Sequence, residues 1–114
     1  MPERIISGPE VLKLLDAVSV TFNGKSYQLL NYNTCHTWVI LPVGSPSAVG
    51  VFLEGSLDDV NWFDLDASTV TAAAGEMRHV TNKGVKYIRA NLRTITYTGS
   101  PAANVTVLYT PTLG

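Results

Sequence analysis

Thirty of the 114 residues are β-branched, 13 Val, 12 Thr and 5 Ile, and they recur at alternate positions. A side chain branched at Cβ loses rotamer freedom in a helix and fits a pleated, half-buried surface, so strands are expected along most of the chain. Val18 to Phe22 alternate, Asn23-Gly24 has the composition of a two-residue hairpin turn, and Lys25 to Leu30 resume, which predicts a hairpin. A strand is expected over Thr34 to Val43, ending at the Gly44-Ser45-Pro46-Ser47 loop. Val49, Val51 and Leu53 alternate up to Glu54, and after a turn at Asp58-Asp59 a short strand carries Trp62, Phe63 and Leu65, giving a second hairpin. Glu76 to Val80 reads as an edge strand before the turn Asn82-Lys83-Gly84. In Val85 to Leu92, Ile88, Ala90 and Leu92 should face inward and Tyr87, Arg89 and Asn91 outward, and Val105, Val107 and Tyr109 mark the last strand. Seven or eight short strands at this spacing predict an all-β, antiparallel two-sheet sandwich over residues 18–114.

Residues 1–17 differ. Ser7-Gly8-Pro9-Glu10 has the spacing of a capping box, and Val11, Leu12, Leu14 and Leu15 follow on one broad apolar face, which predicts an N-terminal arm with a short helix. Two turns of helix do not persist alone in water, so this segment should dock on its own sandwich or on a neighbour.

Charge narrows the classes of function. Eight Lys and Arg against nine Asp and Glu leave a net charge of −1, which offers no electrostatic footprint for nucleic acid or an anionic membrane. No apolar run approaches the roughly 20 residues of a membrane span, and no basic segment precedes an apolar one as in an export signal, so the chain reads as soluble. Cys35 is the only cysteine, which excludes an internal disulfide. Charged residues make up 15% of the chain and apolar residues 46%, against about 25% charged in an ordinary domain. That balance fits a surface packed against other subunits, and equally one covered by Thr and Ser.

Chemistry-bearing residues are sparse. Cys35 and His36 are adjacent in a strand, where neighbours point to opposite faces, so they do not form a nucleophile and base. Cys35 is expected in the core and His36 on a polar face. Two histidines and one cysteine without a ligand spacing argue against zinc, and no cofactor or metal is expected. Glu54, Asp58, Asp59, Asp64 and Asp66 gather about one hairpin, where calcium binding or a catalytic carboxylate pair would be open to them; the turn chemistry of Asp is the simpler account. Trp38 and Trp62 are expected between the sheets. Lys83, Lys86, Arg89 and Arg93 share one segment and read as a local positive patch for an acidic partner surface.

The stretch from Val51-Phe52-Leu53-Glu54-Gly55-Ser56 through Leu57-Asp58-Asp59-Val60-Asn61-Trp62, followed by Val85-Lys86-Tyr87-Ile88-Arg89-Ala90-Asn91-Leu92, resembles the discoidin-like, galactose-binding-type β-sandwich. The resemblance covers residues 48–110. It implies a jelly-roll-like sandwich, with Gly55 bending the strand end, Asp58 and Asp59 satisfying turn amides, and Trp62 plugging the sandwich below. Compact versions of this length are similar to small structural proteins of tailed bacteriophages.

Two functions follow from the resemblance. The first is a non-enzymatic virion protein, a capsid cement or decoration protein made in the host cytoplasm and placed on the capsid surface. Its partners would be the major capsid protein and copies of itself, expected as a homotrimer. Ile5, Ile6, Val11, Leu12, Leu15 and Arg93 are the expected contact residues. The alternative is a carbohydrate-binding module of a tail, fibre or surface protein, binding glycan through Asp58, Asn61, Trp62 and Tyr97. No catalytic residues are expected under either.

Overall fold

The computed structural model describes residues 5–6, 11–98 and 102–112, with backbone only for 5–6 and 30–33. Among these there are ten strands and no helix: β1 (Ile5–Ile6), β2 (Leu12–Val18), β3 (Phe22–Asn23), β4 (Tyr27–Asn33), β5 (Cys35–Val43), β6 (Ala48–Ser56), β7 (Trp62–Ser68), β8 (Glu76–Val80), β9 (Val85–Thr96) and β10 (Asn104–Thr112). They form two sheets, one ordered β1-β4-β9-β6-β7 with β3 also on β9, the other β2-β10-β5-β8. Pairing is antiparallel throughout except between β1 and β4. The chain is an all-β sandwich.

Period-two alternation builds the core. Val49, Val51 and Leu53 of β6 lie beside Ile88, Ala90 and Leu92 of β9 on one inner face, and Trp38 and Ile40 of β5 beside Val105, Val107 and Tyr109 of β10 on the other. All are buried, and each fully buried aliphatic side chain contributes about 1.5–3 kcal/mol. Trp38 also donates from Nε1 to Asp66 Oδ2 across the sheets at 3.0 Å, so its one polar atom is satisfied. At that edge β7 and β8 are tied together: Arg78 donates from Nε and Nη2 to Asp66 at 2.8 and 3.0 Å, and Ser68 Oγ donates to Glu76 at 2.6 Å.

The hairpin of β6 and β7, the edge position of β8, and the inward sets of β9 and β10 stand where the alternation places them. Three expectations need correction. The helix is a strand: Leu12–Val18 pairs with β10, so the arm expected over residues 1–17 runs into the sandwich at β2, while Ser7 to Glu10 lie outside the described residues. A β-bulge explains the misleading pattern. Two register shifts along β10 and Ala17 at φ 51° put Leu14 and Leu15 both inward, and the resulting apolar positions 12, 14 and 15 imitate a helical face.

The first hairpin is also absent. β3 and β4 both pair with β9, and Asn23-Gly24 is no two-residue turn between them. Gly24 answers a different need: its N–H donates to Ala90 O at 2.7 Å, and a Cβ there would lie 2.7 Å from Leu14 O and 2.8 Å from Ala90 O. The position admits only hydrogen because backbone from both sheets closes over it. Gly55 likewise serves close packing, not a bend. A Cβ on it would stand 2.5 Å from Val85 Cγ1 and 2.9 Å from Leu65 Cδ1.

Candidate functional site

Residues 57–61 join β6 to β7 in a turn that is hydrogen-bonded from within. Ser56 Oγ accepts from the N–H groups of Asp58 and Asp59 at 3.2 and 2.9 Å and donates to Asp58 Oδ1 at 3.0 Å. Asp58 Oδ1 accepts from the amides of Val60 and Asn61 at 2.9 and 2.8 Å, and Oδ2 from Asn61 Nδ2 at 2.7 Å. The Asn61 and Val60 amides, and then the Asn61 side chain, hold the Asp58 carboxyl well below the usual carboxylate range. Asp59 takes the left-handed conformation, φ 63°, that completes the turn. Around this rigid tip three large apolar side chains stand in solvent, Leu57, Val60 and Phe63, at 61%, 75% and 69% exposure.

A polar and aromatic ladder crosses the outer face of the six-stranded sheet. Glu54 of β6 accepts from Arg89 Nε at 2.6 Å, Arg93 Nη2 at 2.6 Å and Asn91 Nδ2 at 3.2 Å, all on β9. Arg93 also pairs with Asp64 of β7. Each guanidinium lies on a ring, Arg89 over Trp62 at 4.1 Å and Arg93 over Phe52 at 3.8 Å. Burial of Glu54 would raise its pKa, but the three donors outweigh it and hold the carboxyl below its usual value, while Asp64 and Glu54 raise that of Arg93. Two cations meet two carboxylates here, so the positive patch expected from Lys83, Lys86, Arg89 and Arg93 is neutralised within the chain at its two arginines.

His36 is inside, contrary to expectation. Its Nε2 lies 2.8 Å from Lys83 O, and since a carbonyl only accepts, Nε2 carries the hydrogen. Nδ1 is then the acceptor of the Tyr109 hydroxyl at 2.6 Å. Burial lowers the His36 pKa, the Lys83 carbonyl opposing it, and burial raises that of Tyr109. The signal was available: His36 shares the alternation of Trp38 and Ile40, all three on the inner face of β5. Cys35 is buried too, its Sγ 3.8 Å from Thr34 Oγ1.

Asp58, Asn61 and Trp62 come together at the tip. Tyr97 does not join them: β6 and β9 pair from Ala48↔Thr96 to Ser56↔Tyr87, so Tyr97 sits at the far end of β9. Trp62 is half-buried on the outer face beneath Arg89, not between the sheets. Leu12 and Leu15, expected as contacts, are core residues of this chain, whereas Val11 is exposed and Arg93 is committed to Glu54 and Asp64. Ile5 and Ile6 pair by backbone with Gln28 and Leu29, and their side chains lie outside the described residues. Of the clustered carboxylates, Glu54, Asp64 and Asp66 hold arginines and Asp58 holds the turn. Among the described residues no group of three or more His, Cys, Asp and Glu could hold a metal ion.

Fold and surface define a compact β-sandwich, and solved structures of that class are similar to it. One is the SPBc2 prophage-derived protein YomS, 9% identical, with a TM-score of 0.62 over 94% of this chain and 97% of that one. Another is the CBM32-3 domain of a family 31 glycoside hydrolase from Clostridium perfringens, 12% identical, with a TM-score of 0.52 over 90% of this chain and 74% of that one. No family model and no curated protein matches the sequence. At such identities the likeness establishes the fold.

Proposed function

We propose that this chain is a non-enzymatic structural protein of a bacteriophage particle, a cement or decoration protein that binds the assembled capsid and neighbouring copies of itself. The observation that carries this reading is the end-to-end likeness to a prophage-derived protein of nearly the same extent. The rigid apolar tip supports it. Leu57, Val60 and Phe63 gain by leaving water, and a turn already fixed by Ser56 and Asp58 loses little further freedom on docking. A subunit that binds only the assembled shell stabilises it by mass action, repeated at each site.

The test is cosedimentation of the purified chain with capsids stripped of it. The reading expects saturable binding to assembled shells, weakened by Phe63→Ser, and no binding to free capsid subunits. Shells that never retain the chain would contradict it.

A second reading, a carbohydrate-binding module, is favoured by the likeness to the CBM32-3 domain and by Trp62 at the surface. Arg89 covers one face of that ring, which is why this reading stands second. Trp62→Ala should leave the protein folded, with a loss of about 0.5–1 kcal/mol from the cation–π contact. Glycan binding abolished by that variant would bring the module reading forward.

A further inference from the structure

The outer face of the four-stranded sheet is unlike the charged ladder on the other side. Register places Lys13, Leu108, Val39 and Met77 in one row across β2, β10, β5 and β8. The next row holds Thr106 and Leu41, with Asp16 alongside, since the Ala17 N–H donates to Thr106 Oγ1 at 3.0 Å. Thr37, Thr110 and His79 make a row on the other side. Lys13 and Asp16 are the only formally charged side chains among these, and they sit at the β2 edge, 3.6 Å apart and exposed. Met77 is 71% exposed, and Val43 continues the face along β5.

We infer that this face is where a second copy of the chain docks, by an isologous, two-fold contact. The inference deepens the self-contact part of the proposed function. Charge supports a copy as the occupant. A two-fold axis lying across the strands between the Lys13 row and the Asp16 row sets Lys13 of each copy over Asp16 of the other, and Val39 over Leu41. Unlike charges meet and no charge faces an apolar neighbour, whereas a strongly charged partner would leave its own charges unpaired on the central strands. Size supports it as well. Strands of seven, nine, nine and five residues, at about 3.3 Å per residue and about 4.8 Å between strands, outline roughly 500 Å². Pleating and side chains raise the accessible area towards the roughly 600–1,000 Å² per partner that a stable dimer buries. The contact closes on two copies, so this inference predicts a dimer where the sequence reading expected a homotrimer.

Sedimentation equilibrium on the full chain tests this. The expected mass is twice 12.3 kDa, falling to the monomer in Val39→Lys/Met77→Lys, whose far-UV spectrum should be unchanged because both positions point away from the core. Asp16→Lys should weaken the dimer, and the exchange Lys13→Asp/Asp16→Lys should restore it, since the swapped charges still meet their opposites. A monomeric or trimeric wild type overturns the inference, as does a dimer indifferent to Val39→Lys/Met77→Lys. Such an outcome leaves attachment to capsids untouched, and failure of attachment with the dimer intact would fall on the virion reading alone.

Discussion

His36 shows how a single buried polar group turns into a pH dependence. Its folded pKa is lowered below 6.5 by burial, so the native state holds fewer protons than the unfolded chain wherever the two differ. The stability tied to the neutral ring is therefore complete above about pH 6.5 and is lost as pH falls towards the lowered value, by at most about 1.4 kcal/mol per pH unit. An NMR titration of the His36 ring should give a midpoint below 6.5, and urea midpoints should fall over the same range. Stability that is flat or rising on acidification there would contradict the account. Glu54 and Asp66 act lower down. Their folded pKa values are depressed by Arg89, Arg93 and Arg78, so their contribution is present above the ordinary carboxylate range and is lost as pH falls through the depressed values.

Among the elements, the hairpin of β6 and β7 combines close packing at Gly55 with an exposed apolar tip. Gly55→Ala places a methyl within 2.5 Å of Val85 Cγ1, and overpacking of this kind destabilises by about 1–3 kcal/mol; a chemical denaturation midpoint indistinguishable from wild type would show that β9 yields freely. Asp58→Ala removes the acceptor of the Val60 and Asn61 amides. Hydrogen exchange at those two amides should accelerate while the paired amides of β9 stay protected, and equal protection before and after would mean the turn is held by something else. Legibility in the sequence follows the same elements. Alternation exposed β5, β6, β9 and β10 because the large apolar side chains of each fall at alternate positions on one inner face. It failed at β2, where the bulge brings Leu14 and Leu15 to the same side, and at Asn23-Gly24, where glycine is required by a close approach between sheets that no local pattern records. The tip was legible as an Asp-rich turn; the Arg89 and Arg93 ladder was not, because partners 35 and 39 residues away in the chain meet Glu54 only through register.

Taken whole, the molecule carries a ladder of arginines and carboxylates on the outer face of the six-stranded sheet, presents an outer face on the four-stranded sheet without formal charge on β5, β8 and β10, and carries an apolar tip at one end. These are three different surfaces on one small body, and the proposed role assigns a neighbouring copy to the uncharged face and the shell to the tip. Phe63 belongs to this scale: being largely exposed, its replacement by Ser should change stability by no more than about 0.5 kcal/mol while weakening attachment. The most direct test of the central claim is the copy number of the chain in purified particles from its source, measured against the major shell protein by quantitative mass spectrometry. A structural protein of the capsid surface predicts copies in fixed proportion to the shell protein. Absence from the particles would contradict that role and leave glycan binding as the reading to pursue.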